Sequence, residues 1–234
     1  MDIKNAVALV TGANRGLGRA LAKALVEAGA RKVYAAARDP GTMTLPGVTP
    51  IKLDVTDPAQ VAAAAAALGD VNLVINNAGI ALGASFLGEG AIEAARRELE
   101  TNYFGPLLMA RAFAPALAAN GGGALVNVLS VLSWLNFEGV ATYSASKAAA
   151  WSLTNGLRGE LRGQGTQVVA VHVGYMDTDM TAGYDVPKAR PEDVAAQVLA
   201  AVAEGRDEVL ADDISRKVKA GLGVEPGVYV TGPV

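Results

Sequence analysis

Thr11-Gly12-Ala13-Asn14-Arg15-Gly16-Leu17-Gly18 stands between an apolar run, Ala6–Val10, and the helix-forming stretch RALAKALVEAG. The order strand, glycine turn, helix decides the fold. The glycines follow G-x-x-x-G-x-G, a variant of the dinucleotide-binding fingerprint, in which glycine is needed where a Cβ would collide with a pyrophosphate or with the packed helix. The first amides of the helix then supply donors and positive dipole potential. A phosphate-binding turn over Gly12, Asn14, Arg15, Gly16, Leu17 and Gly18 is predicted. Gly159, Gly163 and Gly165 repeat the spacing but follow a helix and precede a strand, the reverse order, so they are read as a helix stop.

Outward from this turn, short apolar runs alternate with longer helix-like segments. The runs are Ala6–Val10, Lys32–Ala36, Thr49–Leu53, Leu73–Asn76, Ala124–Leu129 and Val168–Val173; the helical stretches between them are Gly16–Glu27, Asp57–Leu68, Ala91–Ala118 and Tyr143–Arg162. Strands apolar throughout have both faces covered, the mark of a parallel sheet. The expectation is an α/β, doubly wound, Rossmann-like fold in three layers, a single nucleotide-binding domain over residues 1–234. Asp57-Pro58 caps and starts one helix, and Pro191 with Glu192 and Asp193 opens another that runs to Glu204.

Composition narrows the function. A formal net charge of −3 gives no basic field for nucleic acid. There is no cysteine, hence no disulfide framework or thiol nucleophile. Asp177 and Asp179 are too few to cage a cation, so no metal is expected. The longest apolar stretch, Val61–Leu68, is far short of the ~20 residues of a membrane span. The N-terminus lacks the order of a signal peptide, so no membrane association and a cytoplasmic location are expected.

Arg38 lies twenty residues after Gly18, where an acidic residue would bond the ribose 2′-hydroxyl of NAD. An arginine suits a 2′-phosphate instead, and Arg15 offers a second cation. NADP, with NADPH preferred over NADH, is the predicted cofactor; Asp39 argues weakly the other way, but precedes Pro40.

Two stretches carry a Tyr four residues before a Lys: YSASK, Tyr143–Lys147, and YDVPK, Tyr184–Lys188. With 6 Tyr and 8 Lys in 234 residues, about 0.2 such pairs arise by chance, so context must decide. Pro187 breaks the helical interval of the second pair. The first begins a proline-free, alanine-rich helix, so its two side chains share one face. Lys147 is expected to lower the Tyr143 phenol toward neutrality and so make it the acid that protonates a carbonyl oxygen. Ser130, at the end of an apolar run, is placed to polarise that oxygen, with Ser133 as its rival.

Together these segments resemble the short-chain dehydrogenase/reductase family, in its common single-domain subclass, from about Ala6 to Asp179. TGANRGLG is similar to the cofactor loop, Asp54-Val55 to the pair that contacts adenine, and Asn76-Asn77-Ala78-Gly79 to the segment that lines the adenine ribose and steadies the sheet. Asn102 matches the helix asparagine of the catalytic tetrad, which holds a water linking the lysine to bulk; Ser130, thirteen residues before Tyr143, matches the active serine, and Tyr143 with Lys147 the Y-x-x-x-K pair, which also contacts cofactor. The resemblance places Gly174, Met176 and Thr178 on the nicotinamide side, although the usual Pro-Gly there reads Val173-Gly174. The C-terminal stretch VEPGVYVTGPV also departs from the family's pattern.

The implied function is an NADPH-dependent oxidoreductase moving a hydride between the cofactor and a carbonyl or alcohol substrate, a carbonyl reductase or alcohol dehydrogenase. The alternative is an NADP(H)-binding sensor on the same fold without turnover. Leu132, Trp134, Phe137 and Tyr175, with Ser130 and Tyr143, are the expected substrate pocket; Asn136, Ala81, Leu82, Met176 and Tyr184 are further candidates for an apolar wall. The segment from Met180 to Pro191 is short for a lid and suggests an open site. His172, a lone strand histidine, is read as structural. By resemblance, the chain forms a homo-oligomer, a dimer or tetramer, through the helix before Ala118 and the one containing YSASK.

Overall fold

Successive side chains of a strand point to opposite faces, and in this chain both faces are apolar. In the computed structural model, which describes residues 1–231, seven strands form one sheet. They are β1 (Val7–Thr11), β2 (Lys32–Ala37), β3 (Thr49–Lys52), β4 (Leu73–Asn76), β5 (Ala124–Val128), β6 (Gln167–His172) and β7 (Glu208–Leu210). All pairings are parallel, in the order β3-β2-β1-β4-β5-β6-β7. The alternation is explicit in β1. Ala8 and Val10 join Leu21 and Leu25 of α1 (Gly16–Glu27) and Val198 of α6 (Pro191–Glu204) in one core. Val7 and Leu9 face the other way, toward Val61 of α2 (Pro58–Ala67), Phe113 of α4 (Gly105–Ala119) and Leu157 of α5 (Ala141–Glu160). Helices thus cover both faces, giving the three-layer Rossmann-like arrangement.

Chain order turns back between β1 and β4, because β2 and β3 lie on one side of β1 and β4–β7 on the other. At such a switch point the connecting loops diverge and leave a crevice beyond the carboxyl ends of the strands. The Asp57 carboxylate accepts from the amides of Ala59 and Gln60 at the start of α2, as its place before proline implied. Gly165, with φ of +75°, ends the turn after α5, so the second glycine set is a helix stop.

Two features depart from expectation. The segment expected as one helix, Ala91–Ala118, is α3 (Ala91–Leu99) and α4 joined by π-helical turns at Glu100–Phe104. β7 and the following α7 (Asp213–Gly221) had no apolar run to announce them. Among the described residues, no helix is long and apolar enough to cross a membrane.

Candidate active site

The turn after β1 is locked to the end of β4. Asn77 donates from its side-chain amide to the carbonyls of Thr11 (2.9 Å) and Gly12 (3.2 Å), while Thr11 Oγ1 accepts from the amides of Asn77 (3.0 Å) and Ala78 (3.1 Å). Gly12 has φ of +63°, and a Cβ on it would stand 3.0 Å from Ala78 Cα. Gly18 lies behind it, and a Cβ there would overlap the Gly12 carbonyl. Arg15, the residue before α1, is extended and gives no side-chain cap. The first amides of α1 therefore have no partner from the cap and open on a cleft of about 930 Å³. This glycine cradle with bare helix amides is what a dinucleotide pyrophosphate requires, so the residues present fit the cofactor.

Gly12, Asn14, Arg15, Gly16, Leu17, Arg38, Asp54, Val55, Asn77, Ala78 and Gly79 all line the cleft. The Asp54 carboxylate is turned onto Thr56, accepting from its amide (3.0 Å) and its hydroxyl (2.7 Å), and so shapes the loop. Asp39 accepts from the Gly41 amide at 3.0 Å, which explains the carboxylate beside Arg38 as a local cap. Arg38 itself forms no ion pair among the described residues. Arg15 is otherwise engaged: its Nη1 lies 3.0 Å from Asp179 Oδ2, a pair exposed on both sides that spans from the glycine turn to the far lip.

Gly174, Met176 and Thr178 also line the cleft. The Gly174 amide donates to Asp212 Oδ2 (2.6 Å), and Asp212 Oδ1 accepts from Ser215 at the start of α7. Asp212 therefore ties this loop to an element the sequence did not reveal. The chain then returns from Thr181 to pair Ala189 with Tyr175 and Asp177, leaving only a short flap.

Ser130, Tyr143 and Lys147 line the same cleft, with Ser130 just beyond β5, whereas Arg38 lies just beyond β2 on the other side of the switch point. Ser130 Oγ accepts from the Leu132 amide at 3.1 Å. Ser133, its rival, is buried and accepts from the Ser130 amide at 3.3 Å, which removes it from the cleft. Lys147 Nζ donates to the Val128 carbonyl at 2.9 Å and lies 5.7 Å from the centre of the Tyr143 ring. Burial pushes the Tyr143 phenol up to about 12, opposed by the hydrogen bond with Ser130 and assisted by the Glu98 carboxylate. Burial also lowers the Lys147 ammonium to about 8. The expected depression of the phenol by Lys147 is thus overturned: loss of water disfavours both charged forms, and the ammonium is not among the groups that shift the phenol.

Asn102 sits in the π-helical turns and is buried. Its Oδ1 accepts from the Ile80 amide, and its Nδ2 donates to the Ile80 carbonyl and Ser146 Oγ, all at 2.9 Å. It does not itself line the cleft but fixes the wall that does. Glu98 acts one turn earlier: completely buried, it accepts from the Leu82 amide at 2.7 Å. Ile80, Ala81 and Leu82 thereby form a held apolar wall. Neither Glu98 nor Arg97, which also lines the cleft, carried a sequence signal, because a charged helix residue reads as solvated.

Several expected positions fall elsewhere. Asn76 is buried inside the sheet, where it donates to Asn127 at 2.9 Å across β4–β5, so it steadies the strands and does not line the cleft. Gly18 also contributes only from behind. Leu132 and Trp134 pack into a separate core with Val131, Leu135 and Val218. Phe137 and Tyr175 are exposed and lie off the cleft; Tyr175 rests against Tyr184, ring centres 5.3 Å apart. Of the expected pocket positions, Ser130, Tyr143, Ala81, Leu82 and Met176 line the cleft, and Leu132, Trp134, Phe137 and Tyr175 do not.

A strand-order switch, a glycine cradle, and a Ser–Tyr–Lys cluster over one cleft define a nucleotide-dependent oxidoreductase. The comparisons agree. Residues 6–188 match the short chain dehydrogenase family model. The chain is 44% identical to a short chain dehydrogenase of Burkholderia cenocepacia solved in complex with NADP, with a TM-score of 0.92 over 97% of this chain and 96% of that one. It is 31% identical to the 3-oxoacyl-(acyl-carrier-protein) reductase FabG of Escherichia coli strain K12, over 99% of this chain and 95% of the relative. A Burkholderia phymatum short chain dehydrogenase/reductase in complex with NAD is 25% identical, with a TM-score of 0.85 over 94% of each chain. The chain belongs to the short-chain dehydrogenase/reductase family. It is an oxidoreductase that uses a nicotinamide cofactor.

Proposed function

We propose that this chain is an NADPH-dependent carbonyl reductase, acting in reverse as an alcohol dehydrogenase. The observation that carries this reading is that Ser130, Tyr143 and Lys147 share one cleft with Arg38, which lies across the strand-order switch from them and forms no ion pair among the described residues. Gly12, Gly16 and the first amides of α1 would hold the pyrophosphate, Arg38 the 2′-phosphate, and Asp54 and Val55 the adenine side. Arg15 would reach the phosphate only by leaving Asp179. Asn77, Ala78 and Gly79 would line the ribose, and Gly174, Met176 and Thr178 the nicotinamide side.

When bound, the reduced nicotinamide supplies the hydride to the substrate carbon. Ser130 donates its hydroxyl hydrogen to the carbonyl oxygen and holds it beside Tyr143. The Tyr143 phenol, protonated at neutral pH, gives its proton to that oxygen as negative charge develops there. Lys147 stabilises the phenolate left behind, and Asn102 keeps Ile80 and α5 in register so that the groups stay aligned. The aliphatic wall favours an apolar carbonyl substrate, and the short flap leaves room for bulk. A homo-oligomer through the α4 and α5 faces is part of the same proposal.

The test is loss of the reduced-nicotinamide absorbance with ketones graded by size, NADPH and NADH in parallel. Turnover with NADPH that includes large apolar ketones is the expected result. NADPH binding without turnover across the panel would turn the assignment toward a sensor.

A further inference from the structure

His172 is the single histidine of the chain and the last residue of β6, with no solvent exposure. The proposed mechanism gives it no part. Its Nδ1 lies 3.1 Å from the main-chain carbonyl oxygen of Ser130. Its ring stacks on Trp134, centres 3.8 Å apart and 18° from parallel. On the far side, Glu208 Oε1 stands 3.9 Å from Nε2 and accepts from Lys219 Nζ at 2.8 Å. Lys219 in turn lies 5.2 Å from the Trp134 ring centre.

The tautomer follows from the partners. Burial lowers the imidazole to about 4, so the ring is neutral near pH 7 and carries one N–H. A carbonyl oxygen only accepts, so that hydrogen is on Nδ1 and Nε2 keeps its lone pair. Among the described residues Nε2 has no hydrogen-bond partner. The ring thus has one hydrogen bond, and it is spent on Ser130.

That bond has a particular place in the turn. The Ser130 amide donates to Ser133 Oγ, and Ser130 Oγ accepts from the Leu132 amide, both contacts within the same turn. The carbonyl accepts from the Ser133 amide at 3.0 Å within the turn, and the next amide, that of Val131, donates to the Val173 carbonyl at 3.0 Å. Among the described residues, His172 is the one side chain from another strand that holds the Ser130 carbonyl. The His172 bond adds to those two backbone bonds in fixing ψ of Ser130, and with the Ser130 amide anchored as well, the direction of its Cα–Cβ bond follows.

We propose that His172 is a positioning residue for Ser130: its Nδ1–H holds the serine carbonyl and thereby aims the hydroxyl at the substrate oxygen beside Tyr143. This rests on the proposed role of Ser130. The competing explanation is that the ring only fills space beneath Trp134. The two are separable, since the amide nitrogen of an asparagine can take the place of Nδ1 without a ring, whereas a phenylalanine keeps a ring and has no donor.

The experiment measures kcat with an accepted ketone for His172→Asn, His172→Phe, His172→Gln and Ser130→Ala. Rates are referred to NADPH-binding sites counted by fluorescence titration, so misfolded protein does not enter. His172→Phe should lose about tenfold to a hundredfold in kcat with the KM for NADPH unchanged. His172→Gln, whose amide falls near the Nε2 position, should fall with it and serves in its place if the Phe variant does not accumulate. His172→Asn should keep kcat within about threefold of the parent despite a lower Tm. An Asn variant as slow as the Phe or Gln variant, or a Phe or Gln variant at the parental rate, overturns the proposal. Ser130→Ala at the parental rate instead removes the role of Ser130 itself; a slow Ser130→Ala beside a fast His172→Phe removes only that of His172.

Discussion

Lys147 Nζ and the Tyr143 ring are 5.7 Å apart, and the ammonium is anchored away from the ring on the Val128 carbonyl at 2.9 Å. Both groups are driven by burial, in opposite directions: the phenol up to about 12 and the ammonium down to about 8. The consequence is a pH profile set by Lys147. A lowered ammonium is charged below about pH 8 and neutral above it, while the phenol stays protonated over that range. Reduction should therefore be level below pH 8 and decline as pH rises through it. Lys147→Met should be slow throughout and lack that limb in a kcat/KM profile taken from pH 6 to pH 10.

In the proposed reading cofactor choice rests on Arg38, which lines the cleft and forms no ion pair among the described residues, while Asp39 is occupied by the Gly41 amide. Arg38→Ala should raise the KM for NADPH by about tenfold to a hundredfold, as expected for loss of a charge-assisted contact of roughly 1.5–3 kcal/mol. The KM for NADH should hardly move. Steady-state kinetics with both cofactors checks this; equal losses would mean Arg38 acts on the fold or the adenine.

Much of this was readable in the sequence because the causes were local. The glycine turn is imposed by close approach of Gly12 and Gly18 to their neighbours, and the apolar runs by two-sided burial. Where partners lay far along the chain, the sequence was silent. The π-helical turns at Glu100–Phe104 accompany bonds from Asn102 to Ile80 and Ser146, so Ala91–Ala118 read as one helix. Trp134 looked like a pocket wall because it lies near Tyr143 in sequence, but its partner is His172. β7 is three residues with one fully buried; its pairing with β6 defines it, not its composition.

The three bonds of the Asn102 side chain make a stability prediction. Asn102→Ala leaves the Ile80 amide and carbonyl and the Ser146 hydroxyl without that partner in a largely buried setting. A cost of about 2–4 kcal/mol is expected, since each orphaned buried group costs roughly 1–3 kcal/mol and the wall can relax in part. Chemical denaturation measures it. Turnover should fall further than the folded fraction does, because the Ile80–Leu82 wall loosens.

His172 makes acid stability testable. Its folded value, about 4, is depressed below the ordinary 6.5 by burial; the Ser130 carbonyl and Glu208 oppose this, and Lys219 and Arg158 add to it. A depressed histidine binds fewer protons folded than unfolded between those values, so its contribution is fully present above about pH 6.5 and is lost as pH falls toward 4. Urea midpoints of the parent should drop across that window more steeply than those of His172→Phe.

The most direct test of the mechanism is Tyr143→Phe, assayed in one preparation for NADPH binding by fluorescence and for ketone reduction by absorbance. Removing the phenolic hydroxyl should leave the cofactor affinity within about threefold and reduce kcat by about a thousandfold, within the range of positioned acid catalysis. A variant that binds NADPH normally and still reduces the ketone at the parental rate would show that the proton comes from another group.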